Sequence, residues 1–432
     1  MTKSKHPKID KYAPQIVLVL RLVVGVVFAF SGFVKAIDPW GMLYKLEDYS
    51  IALGCEWLSP FLLFGAFAIS IFEFVLGVCL LIGAYRHVSV YLSFLFMLIM
   101  TPLSLWLAIT NAVPDCGCFG DAIVLGNTTT FVKNILLLVA VLYLMRHNVK
   151  VANFYSPSIQ WIITLLTIVY ISVIAAYGYF YQPMIDFRPY KTGQSITNIE
   201  YSRGADESIV FVYEKDGETH EFKLSELPDD IDSTWSFIER REPESHLSKK
   251  TESSGIVVTE GNDDVTEEVL KNEGELLIFV FSDMYDINIT YTYLINIIDD
   301  LARQLNVDII GVTGANDDEI ADWVDMSMAT YPIYRVDDTE LKVLARGKPA
   351  VVFMRDGKVV WKRTLQSISA TRVEEAINGG GDLEWVASDY NGYSRLKICS
   401  YMYILAMFII LFLNRSNRVY KFSTRLIKKN QK

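Results

Sequence analysis

The chain has 432 residues, of which 51% are hydrophobic and 13% aromatic, and its formal net charge is −10. That length has room for two or three domains, and the hydrophobic residues are concentrated in runs long enough to cross a bilayer, which takes about 20 helical residues. The composition excludes an entirely soluble protein, and the acidic balance argues against nucleic-acid binding.

Six apolar runs predict six transmembrane helices. They cover residues 16–34, 59–83, 88–109, 130–145, 159–181 and 396–413. The first run is too long for a cleavable signal peptide, and no small-residue cleavage site follows it. We therefore expect the first run to remain in the membrane.

The charges that flank these runs predict the orientation of the chain. Lys and Arg residues precede the first run, separate the second from the third and the fourth from the fifth, and follow the sixth. Such segments stay in the cytoplasm, so both termini are predicted to be cytoplasmic. Residues 182–395 then lie outside, and they carry 21 Lys and Arg against 42 Asp and Glu. The acidity of the chain therefore belongs to an extracytoplasmic soluble domain.

Two of the five cysteines, Cys116 and Cys118, lie one residue apart in the segment PDCGCFGD, just after the third run. This side of the membrane permits disulfides. A zinc site is the weakest interpretation, because four ligands are needed and the histidines are distant or on the other side. A structural turn, reduced or permanently bridged, fits Pro114, Gly117 and Gly120. A redox pair is favoured, because so small a ring strains a disulfide and makes it easier to reduce.

Lys133 is predicted to lie in the first turn of the fourth transmembrane helix, close to the two cysteines. Its ammonium group and the partly positive amides of the helix start would both favour a thiolate. Alternatively, Lys133 extends to the membrane interface. Cys55 and Cys399 are expected near the same membrane face, and Cys79 is expected to be a packing residue.

Arg21 and Glu73 lie within the first and second apolar runs. Charges at such depth usually face the interior of a helix bundle and find a partner. The favoured interpretation is an Arg21–Glu73 ion pair that holds the two helices together. The alternative is that they form a site for protons or for a quinone.

A family resemblance rests on three segments: LRLVVGVVFAFSGFVKAIDPWGMLYKLEDY, then a helix with an internal Glu, then DCGCFGD followed by FVKN. Over residues 14–146 this pattern resembles the DoxX/MauE family of four-helix membrane proteins. MauE-type proteins are implicated in forming disulfides in an exported partner, methylamine dehydrogenase, and other members are linked to quinone-coupled sulfur metabolism. The resemblance implies a thiol or quinone redox role, with Cys116 and Cys118 as the matching residues and quinone as a candidate cofactor.

The soluble region begins with a hairpin at residues 208–224, built around an Asp-Gly turn, and a polar linker or irregular layer at 228–262. An alternating series follows. Strands are predicted at 275–283, 307–314 and 331–337, helices at 289–305, 317–327 and 370–378, and a second hairpin at 348–363.

This series resembles a thioredoxin fold, with Pro349 in the place of the cis-proline of that fold. Where thioredoxins carry a CxxC motif, this chain has SDMYDINIT and no cysteine, so the domain is not expected to exchange thiols on its own. The groove beside Pro349 would suit an extended peptide; alternatively, the domain is a spacer or an assembly surface. The tandem of the two parts resembles uncharacterised DoxX-domain proteins of Bacteroidetes.

The expected fold is a membrane α protein, namely a four-helix DoxX/MauE-like bundle plus two further transmembrane helices, with an extracytoplasmic α/β thioredoxin-like domain between helices five and six. The predicted parts are the bundle at 1–150, helix five at 151–182, the hairpin and acidic linker at 183–262, the thioredoxin-like domain at 263–382, and helix six with a basic tail at 383–432.

The favoured function is a thiol–disulfide redox or maturation factor in a bacterial inner membrane, with residues 182–395 in the periplasm. Cys116 and Cys118 would exchange with thiols of an exported or periplasmic protein, assisted by Lys133. Pro349, Arg21 and Glu73 are the candidate binding residues, and no metal or nucleic acid is expected. The rival hypothesis is a non-catalytic scaffold whose acidic domain binds another envelope component.

Overall fold

The computed structural model describes residues 7–147, 154–196, 256–379, 383–387 and 392–430, apart from 262, 271–272, 285–286 and 288, together with three strands at 210–215, 218–223 and 236–241. Side chains are described from residue 14 to residue 416 within these ranges, the three strands excepted. The described chain has a helical membrane part and a part built on a mixed sheet.

Seven helices belong to the membrane part. They are α1 (Pro7–Ile37), α2 (Pro39–Ala52), α3 (Ser59–Ile82), α4 (Arg86–Thr110), α5 (Asn127–His147), α6 (Gln160–Phe180) and α13 (Gly392–Asn430). All except α2 contain a stretch long and apolar enough to cross a membrane, which confirms the six predicted transmembrane helices. The fourth of these, α5, begins at Asn127 rather than near residue 130, so Lys133 lies in its second turn and not in its first.

Helix α2 was not predicted, because it lies between the first two apolar runs and is not itself an apolar run. Asp38 caps this helix by accepting a hydrogen bond from the Gly41 amide at 2.9 Å, and Pro39 occupies its first position. Both are strong signals for a helix start. Trp40 on α2 stacks on Tyr179 at the end of α6, with ring centroids 5.0 Å apart. Helix α2 thereby packs beside the end of α6.

Helices α1 and α3 approach each other closely because glycines line their contact. A Cβ atom at Gly32 would lie 2.7 Å from the Ser70 carbonyl oxygen, and one at Gly77 would lie 2.7 Å from the Ala29 Cα. Small residues at such contacts let backbones pack closely within a membrane. The close contact brings the side chains of the two helices together where they meet the cysteine loop.

Two sheets follow α6 in the chain. The first has strands β1 (Val210–Lys215), β2 (Glu218–Lys223) and β3 (Ser236–Arg241), in the order β2-β1-β3, all antiparallel. The β1–β2 pair confirms the predicted hairpin, although its Asp-Gly turn lies outside the described residues. Strand β3 lies inside the predicted linker, most of the remainder of which also falls outside them.

The second sheet has seven strands in the order β10-β9-β6-β7-β8-β4-β5. These are β4 (Thr259–Glu260), β5 (Asp263–Asp264), β6 (Glu275–Phe281), β7 (Asp308–Thr313), β8 (Ile333–Arg335), β9 (Ala350–Arg355) and β10 (Lys358–Thr364). Strands β6, β7 and β8 are parallel, β9 runs antiparallel beside β6, and β10 runs antiparallel beside β9.

Helices cover both faces of this sheet. They are α7 (Thr266–Leu270), α8 (Ile289–Leu305), α9 (Asp317–Ser327), α10 (Asp338–Leu344), α11 (Ala370–Gly379) and α12 (Leu383–Val386). Successive residues of a strand point to opposite faces: Phe279 packs in the core with α8 and α11, and Ile278 in the core with α10. This two-sided burial explains why β6 is an uninterrupted apolar run. The predicted alternation of strands and helices is confirmed, with α7, α10 and α12 as additional short helices.

Candidate active site

The loop between α4 and α5 carries a disulfide between Cys116 and Cys118, whose Cα atoms lie 5.5 Å apart. Gly117 between them has a φ of +62°, and a Cβ atom there would lie 3.0 Å from Lys45 Cγ. Glycine adopts this left-handed conformation without steric cost. Both the ring and the neighbouring side chain therefore require glycine at this position.

Helix α2 holds the first half of the loop. The Lys45 ammonium forms an ion pair with Asp115 at 2.8 Å, and the other oxygen of Asp115 accepts the Gly117 amide at 2.8 Å. Tyr49 donates its hydroxyl to the Cys116 carbonyl oxygen at 3.0 Å. Burial raises the pKa of Tyr49 above its ordinary value, with Asp115 and Asp48 adding to the shift, so the phenol stays a donor at neutral pH.

A buried polar cluster on α1 and α3 holds the second half of the loop. The Ser31 hydroxyl lies 2.6 Å from the Cys118 carbonyl oxygen and 2.7 Å from Glu73 Oε2. The Lys35 ammonium lies 2.7 Å from the same Glu73 oxygen and 3.1 Å from the Ser31 hydroxyl. The side chains of Lys35 and Glu73 are 5% and 4% exposed. The buried Lys35–Glu73 pair thus lies directly beneath the disulfide loop.

The predicted Arg21–Glu73 pair is therefore wrong, because Lys35 takes the place expected for Arg21. Arg21 and Lys35 are 14 residues apart on α1, which places them about 21 Å apart along the helix. Glu73 on the antiparallel α3 lies level with Lys35. The three guanidinium nitrogens of Arg21 are buried and make no hydrogen bond within the described part of the chain. The structure does not bring Arg21 to the site.

A cavity of about 210 Å³ opens beneath the disulfide, inside the bundle. Its polar lining consists chiefly of the disulfide loop, Ser31, Lys35, Glu73, Lys133 and Asn134. The rest of the wall is mostly apolar and includes Phe28, Met97, Met100, Leu103 and Leu137. A mostly apolar wall with a few convergent polar groups is typical of small-molecule sites. The disulfide faces such a cavity and is only partly buried.

Lys133 lines this cavity from the second turn of α5. Its ammonium lies 4.4 Å from the centroid of the Phe119 ring. No ion pair between Lys133 and a carboxylate occurs within the described residues, and Glu73 forms its ion pair with Lys35 instead. The structure brings Lys133, Cys116 and Cys118 to one cavity, and the effect of Lys133 on the thiols stays a prediction.

The sheet domain is fastened beside the disulfide loop by Arg346, which is 4% exposed. Its guanidinium lies 2.7 Å from Asp38 at the start of α2 and 2.7 Å from Asp121, three residues after Cys118. Its backbone pairs with the Gln182 side chain at 3.2 and 2.6 Å. Burial alone would lower the pKa of Arg346, but Asp38 and Asp121 outweigh burial and raise it.

Pro349 lies in the same loop as Arg346, directly before β9. The Lys348–Pro349 bond is cis, and Pro349 is buried, with its carbonyl oxygen accepting the Leu365 amide at 3.0 Å. Thr364, the partner of the next residue across the β9–β10 ladder, donates its hydroxyl to the Phe180 carbonyl oxygen at the end of α6. The loop beside Pro349 therefore faces the bundle. An extended peptide that bound beside Pro349 would have to displace this contact.

A second charged cluster joins the sheet domain to the segment that follows α6. Lys362 on β10 lies 2.7 Å from Asp186, and Arg188 contacts the other oxygen of Asp186 at 2.7 Å. Burial, followed by the repulsion of Arg188, lowers the pKa of Lys362 to about 7. Burial would raise the pKa of Asp186, but the two cations together hold it well below its usual range. The cluster lies beside a second cavity, which Lys35 also lines.

The remaining cysteines do not join the site. Cys55, Cys79 and Cys399 are free thiols, and Cys79 is buried with its sulfur 3.9 Å from the Thr164 hydroxyl. Its packing role agrees with expectation. Among the described residues no group of three or more metal-binding side chains converges.

Sequence reasoning missed Lys35, Ser31, Lys45 and Arg346. Lys35 had a usable signal, because a lysine one residue past an apolar run and three residues before a helix cap can belong to the membrane helix. Arg346 carried none, since nothing local relates it to a loop 225 residues away.

Two parts of the chain match known protein families. Residues 13–146 match the family described as methylamine utilisation protein MauE, and residues 207–243 match a domain of unknown function, DUF8463. No curated protein and no solved structure matches the chain. The MauE-like segment contains the disulfide loop, the Lys35–Glu73 pair and Lys133, while Arg346 lies outside it. This is therefore a membrane protein whose candidate active site lies in a segment similar to MauE proteins.

Proposed function

We propose that this protein is a membrane-anchored thiol–disulfide redox or maturation factor that acts on exported proteins. The supporting observation is the position of the Cys116–Cys118 disulfide in the wall of an apolar cavity, directly above the buried Lys35–Glu73 pair. A disulfide that served only as a staple would need neither the cavity nor a buried ion pair. The match to the MauE family supports a maturation role.

The proposed chemistry is a two-electron exchange. A thiolate of the client attacks one sulfur of the pair, the Cys116–Cys118 bond breaks, and a mixed disulfide forms. A second client thiolate then attacks the client sulfur of that mixed disulfide, which leaves a client disulfide and the reduced pair Cys116 and Cys118. The client has lost two electrons and the pair has gained them. The two protons of the client thiols end on Cys116 and Cys118.

The lining of the cavity supports a quinone as the acceptor that restores the disulfide. Its wall is mostly apolar, and the Lys133 ammonium lies where an electronegative oxygen of a ligand would find a donor. These features fit a lipid-soluble quinone, which would take two electrons from the thiols, gain two protons and become the quinol. Lys133 would hold a quinone oxygen, and the apolar residues of α4 would exclude water.

The sheet domain has a thioredoxin-like fold in this proposal. It has no cysteine, so its contribution is to hold the loop after Cys118 through Arg346 and Asp121. We place the site on the periplasmic side of a bacterial inner membrane, with both termini in the cytoplasm, because the Lys and Arg residues flank the opposite ends of the helices. A client would then reach the disulfide from the periplasm.

Trapping of mixed disulfides tests this proposal. Single Cys116→Ser and Cys118→Ser variants are expressed in cells of the source organism, and the chain is isolated after acid quenching. We expect at least one variant to be recovered covalently bound to an exported protein, and the bond to be released by reductant. Matched Cys55→Ser and Cys399→Ser variants should show no such adduct.

A double Cys116→Ala, Cys118→Ala strain provides the second arm. If exported disulfide proteins mature normally in this strain, and no adduct forms with either single variant, the redox proposal is wrong. The scaffold hypothesis then becomes the better account, because the contact of Arg346 with the bundle would survive both substitutions.

A further inference from the structure

The two short contacts of the Ser31 hydroxyl indicate an additional proton in the site. The Ser31 oxygen lies 2.6 Å from the Cys118 carbonyl oxygen and 2.7 Å from Glu73 Oε2, but a hydroxyl has one proton to donate. If Glu73 is ionised, one of these two short contacts joins two acceptors without a hydrogen between them. If Glu73 is protonated, it donates to Ser31, and Ser31 donates to the Cys118 carbonyl.

Lys35 satisfies the cluster in both cases. Its ammonium reaches Glu73 at 2.7 Å and Ser31 at 3.1 Å, and it has three protons to donate. The cluster can therefore hold one more proton than it contains when Glu73 is ionised. A buried carboxyl with two hydrogen-bonded protonation states is suited to hold a proton in transit.

The surroundings leave few other groups for this task. Lys35 from α1 and Lys133 from α5 are the cations that line the cavity with Glu73, and α4 contributes apolar residues such as Met97 and Met100. Lys35 also lines a second, much smaller cavity of about 20 Å³, where Asp38, Lys45 and Asp121 lie. Lys35 thus lines both cavities, whereas Glu73 lines only the larger one.

We propose that Glu73, with Lys35 and Ser31, is the proton-transfer group of the disulfide site. Oxidation of Cys116 and Cys118 to the disulfide releases two electrons and two protons. Glu73 takes one of these protons as the disulfide forms, so that Lys35 then donates a hydrogen bond to a neutral carboxyl, and it returns the proton when the pair is reduced. Solvent supplies the balancing proton to the quinone during oxidation and receives it during reduction. The inference rests on the proposed redox role of the cysteines and adds to it a residue that nothing in the family comparison assigns.

Infrared difference spectroscopy of the purified full-length chain tests this inference without client or quinone. The spectrum of the disulfide form is compared with that of the form reduced by a water-soluble phosphine. We expect a protonated-carboxyl band in the disulfide form that is lost on reduction, and that is absent in Glu73→Gln. The matched Glu56→Gln variant, which changes an exposed carboxylate near the start of α3, should keep the band.

The pH dependence of the Cys116–Cys118 reduction potential provides a second measurement. In the wild type, Glu73 supplies one proton, so the pair should take up one proton from solvent for every two electrons. The Glu73→Gln variant should take up two. If Glu73→Gln alone fails to fold, the Lys35→Met, Glu73→Gln double variant, which removes both buried charges, is measured instead and should also take up two.

The outcomes separate this inference from the proposed function. If the pair cannot be reduced and reoxidised at all, the redox role itself is wrong. If it cycles, but the carboxyl band persists in Glu73→Gln or the proton count equals that of the wild type, the redox role stands and the proton-transfer role of Glu73 is wrong.

Discussion

Arg346 of the sheet domain and Asp121 of the disulfide loop lie 2.7 Å apart, although 225 residues separate them in the chain. The same guanidinium reaches Asp38, which caps α2. One buried cation thus joins the sheet domain to the helix and to the loop that frame the disulfide. The position of the sheet domain is therefore part of the geometry of the site.

Replacement of Arg346 by Gln should loosen the disulfide loop. Asp38 would lose its ion pair at a buried contact, and breaking such a pair costs about 3–5 kcal/mol, whereas the loss at Asp121, whose side chain is 41% exposed, would be smaller. After mild reduction, Cys116 and Cys118 should react several-fold faster with a membrane-impermeant maleimide than in the wild type. Labelling followed by mass spectrometry of the loop peptide measures this rate.

An Arg355→Gln variant is the control for Arg346. Arg355 also contacts two carboxylates, Glu275 and Glu384, but its side chain is 38% exposed. Exposed pairs are worth about 0–1 kcal/mol, so this variant should label at the wild-type rate. Equal labelling of the two variants would show that Arg346 does not hold the loop.

Gly117→Ala should destabilise the loop between the two cysteines. An alanine would adopt a φ of +62° with its Cβ 3.0 Å from Lys45 Cγ, and left-handed backbone costs a residue with a Cβ about 1–2 kcal/mol. We expect a lower thermal midpoint in detergent. Gly126→Ala, whose Cβ would meet nothing within 4 Å, should leave the midpoint near that of the wild type. An unchanged midpoint for both variants would contradict the geometry given for Gly117.

Gly77→Ala should force α1 and α3 apart. The added Cβ would lie 2.7 Å from Ala29 Cα and 2.8 Å from the Gly25 carbonyl oxygen, both of which are backbone atoms that cannot move alone. Overpacking of this kind costs about 1–3 kcal/mol. Gly65→Ala lies on the same helix, and its Cβ would make an ordinary 3.4 Å contact with Leu46. A thermal midpoint lower in Gly77→Ala than in Gly65→Ala is the expected result, and the reverse order would contradict it.

Lys362 should make stability increase with pH above neutrality. Its folded pKa is about 7, because burial and Arg188 oppose its charge, whereas an unfolded lysine titrates near about 10.4. Between these values the unfolded chain binds the proton that the folded chain lacks, so stability rises by up to about 1.4 kcal/mol per pH unit. The rise ends as pH exceeds the unfolded value.

The variant Lys362→Met removes this contribution, so the difference in thermal midpoint between wild type and variant should change in favour of the wild type from pH 7 to pH 9. Lys358→Met, on the same strand but exposed, should show no such change. A difference that stays constant for Lys362→Met, or that changes equally for Lys358→Met, would contradict the assignment.

Much of the fold could be predicted from the sequence, because its signals are local. Apolar runs predict the membrane helices, and the uninterrupted apolar run at Glu275–Phe281 predicts a strand that is buried on both faces. Helix α2 was missed although Asp38 and Pro39 are cap signals, because its mixed composition is that of neither a membrane span nor a loop.

The site could be predicted only in part. The two cysteines drew attention because one glycine separates them, and their loop does line the cavity. The partner of Glu73 could not be inferred, because it depends on how α1 and α3 slide past each other, and the close packing at Gly32 and Gly77 sets that register. Arg346 depends on the docking of the sheet domain, which no local pattern encodes.

The most direct test of the redox role measures the Cys116–Cys118 pair in membranes. Membranes are quenched with acid, free thiols are tagged by mass, and the tags on the loop peptide are counted before and after a soluble short-chain quinone is added to the reduced protein. We expect two free thiols on this peptide after reduction. Both should be lost when the quinone is added, while Cys55 and Cys399 stay unchanged. A pair that keeps the same redox state under both conditions would contradict it.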